Sequence, residues 1–101
     1  MVLFNITIII DDSINKDWLS WMNERFIPEA MSTGLIVSER LLKVLDSPNE
    51  GITYCLQFVI DEIDSYRTFH QNQYTQLMQE HAAKFNNRFV TFSTLMEFLD
   101  R

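Results

Sequence analysis

The chain has 101 residues, 47% of them hydrophobic, enough for one core and too apolar for a disordered segment, so residues 1–101 read as a single domain. Fourteen acidic residues against eight basic ones give a net charge of −6, and no two basic residues are adjacent, which excludes a phosphate-binding stripe and, with it, nucleic acid as a partner. The lone Cys55 excludes an intrachain disulfide and a thiolate zinc site.

Residues 2–10, VLFNITIII, alternate, with Phe4, Ile6, Ile8 and Ile10 on one face and Leu3, Asn5, Thr7 and Ile9 on the other. Apolar residues on both faces predict a central strand. The segment is short, lacks a basic lead-in and is interrupted by Asn5 and Thr7, so it reads as neither signal peptide nor membrane span, and the expected location is the cytoplasm. Asp11, Asp12 and Ser13 offer cap oxygens for a helix. In that helix Ile14, Trp18, Trp21, Met22 and Phe26 form the apolar stripe, with Arg25 beside it. Pro28 has no N–H and crowds the carbonyl of Glu24, which predicts a kink or restart there. Gly34 is placed to take the left-handed position after the last turn.

Leu35 to Leu45 is ambiguous in pattern, since SERLLKVL also fits a helix, but a strand is expected because it follows a helix stop, contains Ile36, Val37 and Val44, and precedes the turn residues 46–51 (DSPNEG). Residues 52–60, ITYCLQFVI, alternate again, with Ile52, Tyr54, Leu56, Phe58 and Ile60 opposite Thr53, Cys55, Gln57 and Val59, and complete a hairpin. A second helix over 61–85 aligns Ile63, Tyr66, His70, Gln73, Tyr74, Leu77, His81 and Phe85 on one stripe. Its opening carboxylates, Asp61, Glu62 and Asp64, suit the positive end of a helix, and Asn86-Asn87 ends it. Residues 88–99 form a fourth strand.

The order β-α-β-β-α-β predicts an α+β, ferredoxin-like sandwich: a four-stranded antiparallel sheet with two helices on one face. The uncovered face is expected to carry Leu3, Asn5, Thr7, Ile9, Cys55, Gln57, Val59, Phe89, Thr91, Ser93 and Leu95. That surface is too apolar for water, so a two-fold homodimer with sheets facing each other is expected.

Trp18-x-x-Trp21-Met22, Ile27-Pro28 and Thr33-Gly34 in the first helix, Ser38-Glu39-Arg40-Leu41-Leu42 and Thr53-Tyr54-Cys55-Leu56-Gln57-Phe58 on the hairpin, and Glu80 to Phe85 with Arg88 to Phe92 near the end form one pattern. It resembles a family of small bacterial proteins defined as a domain of unknown function. The resemblance spans nearly the whole chain and implies the architecture of the dimeric α/β-barrel superfamily, which includes antibiotic-biosynthesis-type monooxygenases and other cofactor-poor enzymes; likeness at the level of fold transfers no activity. Two positions depart from that pattern. Phe26 stands where a His commonly precedes Ile-Pro, removing any chemistry that His would supply, and Asn86-Asn87 replaces Gly-Asp before the last strand.

No phosphate loop, nucleophile elbow, Rossmann glycine pattern or zinc spacing is present, so no cofactor and no metal is assigned. His70 and His81 stand eleven residues apart on one helix, about 16 Å along its axis, too far to share an ion. Cys55, mid-strand, reads as a buried inert thiol. The candidate ligand pocket lies between the first helix and the sheet, with Trp21, Arg25, Arg40, Tyr54, Tyr66 and His81 as its residues. Core packing competes with this reading for the aromatic residues and His81, and ion pairing competes for the arginines. Three functions follow: a small homodimeric ligand-binding protein, a cofactor-independent monooxygenase-like enzyme, or a non-catalytic interaction module. A cavity of at least ~300 Å³ at these residues favours the first, and a filled interior favours the last.

Overall fold

The alternating segments pair as their periods require. A computed structural model, describing residues 1–101, places β1 (Val2–Ile10), β2 (Ser38–Lys43), β3 (Ile52–Ile60) and β4 (Phe89–Glu97) in one sheet of order β2-β3-β1-β4. All neighbours are antiparallel. β1, apolar on both faces, sits inside the sheet, and β2, with Glu39, Arg40 and Lys43, is an edge. β2 is shorter than the 35–45 expected from sequence, although the Val37 N–H still donates to the Val59 carbonyl at 2.7 Å. This is the expected ferredoxin-like sandwich, β-α-β-β-α-β with both helices on one face.

The first helix, α1 (residues 12–31), starts as a 3-10 turn over Asp12–Ile14, where the Asp11 carboxylate accepts from the Ser13 N–H at 2.9 Å. It continues as α-helix over Asn15–Trp21, widens into a π turn over Met22–Phe26, and resumes over Ile27–Met31. The expected restart at Pro28 takes this form: the α-helix begins again at Ile27 with Pro28 in its first turn. The Ile27 N–H reaches back five residues to the Met22 carbonyl, and the wider turn accommodates a ring that lacks a donor. Gly34 takes φ +72° after the last turn, as expected.

The second helix, α2 (residues 63–85), has the same construction: Ile63–Phe69, a π turn over His70–Tyr74, then Thr75–Phe85. The Thr75 hydroxyl donates to the His70 carbonyl at 2.7 Å, in step with the wider turn. The opening carboxylates do not cap by hydrogen bond: Glu62 at the cap position makes none, and Asp64 pairs with Arg67 instead. Asn86 and Asn87 end the helix at φ 45° and 64°.

The core fills the layer between helices and sheet, built from Phe4, Ile6, Ile8 and Ile10 of β1, Leu56, Phe58 and Ile60 of β3, and Trp18, Met22, Phe26, Phe69 and Leu77 of the helices. One expectation fails at β4. Thr7 pairs with Phe92 and Asn5 with Thr94, and cross-strand partners share a face. Val90, Phe92, Thr94 and Met96 are therefore on the uncovered face, while Phe89, Thr91, Ser93 and Leu95 point to the helix side. Both alternating sets of this strand are rich in apolar or small residues, so its periodicity does not select a face; its register does.

Candidate functional site

The stripe of α1 lowers Trp18 onto β3, where its indole stacks on Tyr54 with centroids 4.7 Å apart and planes 24° from parallel. Across the same layer, α2 delivers His81. The Trp18 Nε1–H donates to His81 Nε2 at 2.9 Å, and both side chains are fully buried. Because Nε2 accepts, the neutral ring carries its proton on Nδ1. Burial pushes the His81 pKa down from 6.5 to about 4, because a charged imidazolium finds neither water nor a carboxylate there. His81 Nδ1 has no hydrogen-bond partner within the protein, nor does the Thr91 hydroxyl on the helix side of β4. Phe89 meets the His81 ring edge-on at 4.2 Å, and Trp21 lies 5.7 Å from it.

Three of the six sequence-predicted residues, Trp21, Tyr54 and His81, thus meet around Trp18. Tyr66 belongs to a second aromatic cluster, with its ring 5.1 Å from Phe4 and 5.5 Å from His70. In that cluster Tyr74 is pushed up to about 12, first by burial and then by Tyr66 nearby. Arg25 lies on the outer surface, where Nη1 contacts Glu29 at 2.8 Å and Nη2 contacts Glu80 at 3.0 Å. Arg40 is a correction. It pairs with Gln57 on the uncovered face, so the whole sheet separates it from the helix layer. Alternation along β2 and β3 could have shown this, because Arg40 shares a face with Leu42 and not with Leu41. The Trp18–His81 contact, across 63 residues of sequence, has no sequence signal.

The interior is packed at this point. A polar groove of about 330 Å³ between the helices is lined by Arg25, Glu29, Gln73 and Glu80 among others. An open groove of about 700 Å³ lies at the end of β1, near Asp11, Glu50, Arg88 and Phe89. Neither these two nor the three next cavities are lined by Trp21, Tyr54, Tyr66 or His81.

The uncovered face has a different character. Val90, Phe92 and Met96 are 62%, 56% and 43% exposed, and Leu42 is 44% exposed. Polar groups cross it as a row: Arg40 Nε donates to Gln57 Oε1 at 2.9 Å, Gln57 Nε2 to Asn5 Oδ1 at 3.1 Å, and Asn5 Nδ2 to Thr7 Oγ1 at 3.1 Å. Cys55 lies on this face as expected, half-buried, with its sulfur 3.7 Å from the Thr7 hydroxyl. The strands place no acidic side chain here, although the chain has fourteen.

Residues 1–99 match the family model described as Domain of unknown function (DUF4286). The chain belongs to that family. No curated protein matches this DUF4286 chain in sequence. Among solved structures, HapK from Hahella chejuensis is similar to it at TM-score 0.73 and 10% identity, covering 100% of this chain and 95% of that one. SnoaB from Streptomyces nogalater, a cofactor-independent oxygenase, is similar at TM-score 0.71 and 15% identity, covering 99% and 94%. A dimeric ferredoxin-like protein from an uncultured marine organism is similar at TM-score 0.68 and 8% identity, covering 99% and 96%. At these identities the likeness is one of fold. The DUF4286 chain contains no helix long and apolar enough to cross a membrane.

Proposed function

We propose that this chain works as a homodimer in the cytoplasm, assembled through its uncovered sheet face, and that this face, not the helix layer, is its functional surface. One observation carries the reading: the face exposes Leu42, Val90, Phe92 and Met96 and holds no acidic side chain in a protein of net charge −6. Depletion of charge around apolar and aromatic residues is the mark of an interface core. The packed helix layer and the fold shared with dimeric ferredoxin-like proteins support the same view. Sedimentation equilibrium tests it. The chain should be a dimer at micromolar concentration, and Phe92→Glu should be a monomer with unchanged far-ultraviolet circular dichroism. A monomeric parent chain, or an undisturbed dimer in Phe92→Glu, would overturn the proposal.

A second reading rests on the unpartnered His81 Nδ1 and Thr91 hydroxyl. Two buried polar atoms without a protein partner are costly unless something else pairs with them, and a small ligand entering beside Trp21 and Tyr54, with Tyr66 further along the layer and Arg25 at the outer rim, would satisfy them. In that reading the fold shared with a cofactor-independent oxygenase extends to oxygenase-like chemistry. A thermal-shift screen of small molecules against the parent chain and His81→Phe decides it: ligands that stabilise only the parent support it, and a screen without such ligands rejects it.

A further inference from the structure

The polar row on the uncovered face has a position as well as a composition. Arg40, Gln57, Asn5 and Thr94 are cross-strand neighbours spanning β2, β3, β1 and β4 in turn. On one side of them lie Val59, Leu3 and Met96; on the other lie Leu42, Cys55, Thr7 and Phe92. Gln57 and Asn5 belong to the two inner strands, so the carboxamides occupy the middle of the row.

From this placement we infer that the two-fold axis of the dimer passes between Asn5 and Gln57, so that the amide pair of one copy faces the amide pair of the other. The inference rests on the sheet-face dimer proposed above. A two-fold that brings two faces together lies in the plane between them, and every point on it meets its own copy. An axis through the middle of the row therefore sets amide against amide at any crossing angle of the sheets, with Arg40 and Thr94 on the edge strands nearer the rim. An axis that misses the middle of the row would press the remaining N–H and carbonyl groups of these carboxamides onto apolar side chains and leave those groups without partners.

The groups suit self-pairing. Gln57 Nε2 uses one N–H on Asn5, and Asn5 Nδ2 uses one on Thr7; each amide keeps a second N–H and carbonyl capacity to exchange across the axis. Arg40 carries the only charge that the strands place on the face. An unrelated partner with an acidic patch would call for several basic side chains here, and the face offers one. The sheet is also of suitable size. Four strands of up to nine residues project to roughly 19 by 30 Å before side-chain relief is counted, near the footprint of a standard interface. The amides act as positioning residues, fixing which rows meet, as a single buried polar residue fixes register in a coiled coil.

Charge swapping tests this, because only a residue close to the axis meets its own copy. Gln57→Glu and Gln57→Lys, each checked for folding by circular dichroism, should dissociate at concentrations where the parent chain is dimeric. Mixed in equal amounts they should form a heterodimer at least tenfold tighter than either homodimer. Two folded variants that fail to associate on mixing, or that each remain dimeric alone, would overturn the axis placement while leaving the dimer intact. A monomeric parent chain would instead overturn the sheet-face dimer itself. If either variant fails to fold, isotope-filtered NMR on mixed-label dimers of the parent chain gives the same answer: contacts between Asn5 or Gln57 amides of the two copies support the placement, and their absence rejects it.

Discussion

His81 is fully buried against Trp18 with its pKa lowered to about 4, and its replacement should remove a defined part of the acid sensitivity of folding. The unfolded chain presents an ordinary imidazole near 6.5, so as pH falls below that value the unfolded state takes up a proton that the native state refuses. The contribution of the neutral ring is intact above about pH 6.5 and is lost progressively between 6.5 and 4. At about 1.4 kcal/mol per pH unit, the loss is roughly 2 kcal/mol at pH 5 and roughly 3 kcal/mol at pH 4. His81→Gln supplies a carbonyl for the Trp18 N–H but does not titrate. Urea unfolding of both proteins at one fixed concentration, between about pH 7.5 and pH 5, isolates this residue, because the other titrating groups are common to both. The parent chain should lose roughly 2 kcal/mol more than the variant over that range. Parallel curves would refute the argument that burial without a counter-charge holds His81 neutral, as would an NMR titration placing its native pKa near 6.5.

Three further outcomes follow from particular contacts. Gly51 sits at φ +83°, where a Cβ would collide with the Ile10 carbonyl oxygen, so Gly51→Ala should destabilise by more than about 1 kcal/mol in urea unfolding. Arg25→Ala breaks its pairs with Glu29 and Glu80, but these side chains are about half exposed, so stability should fall only slightly, and the difference should disappear in roughly 1 M salt. Cys55 lies half-buried on the uncovered face; the proposed sheet-face dimer predicts that Ellman's reagent modifies it slowly in the parent chain and much faster in Phe92→Glu.

The local order of the chain was legible because each element announces its period and its ends. Alternation in residues 2–10 and 52–60, the stripes around Trp18 and His81, and Gly34 and Asn86 at left-handed positions are all set by neighbours within a few residues. Local pattern therefore sufficed for the element order and the ferredoxin-like sandwich. It did not determine which side of the sheet each residue of β4 occupies, because both alternating sets of that strand have similar character and only pairing with β1 separates them. Nor did it join Trp18 to His81 or show the π turn that precedes Pro28. These depend on contacts between segments far apart in sequence, where a shift of one residue in register exchanges the faces of a strand. Residue types alone suggest a pocket, whereas packing and register decide which of those side chains meet. Only tertiary structure distinguishes the aromatic stripe of the first helix, which is packed into the core, from the acid-free face behind it, which stays uncovered.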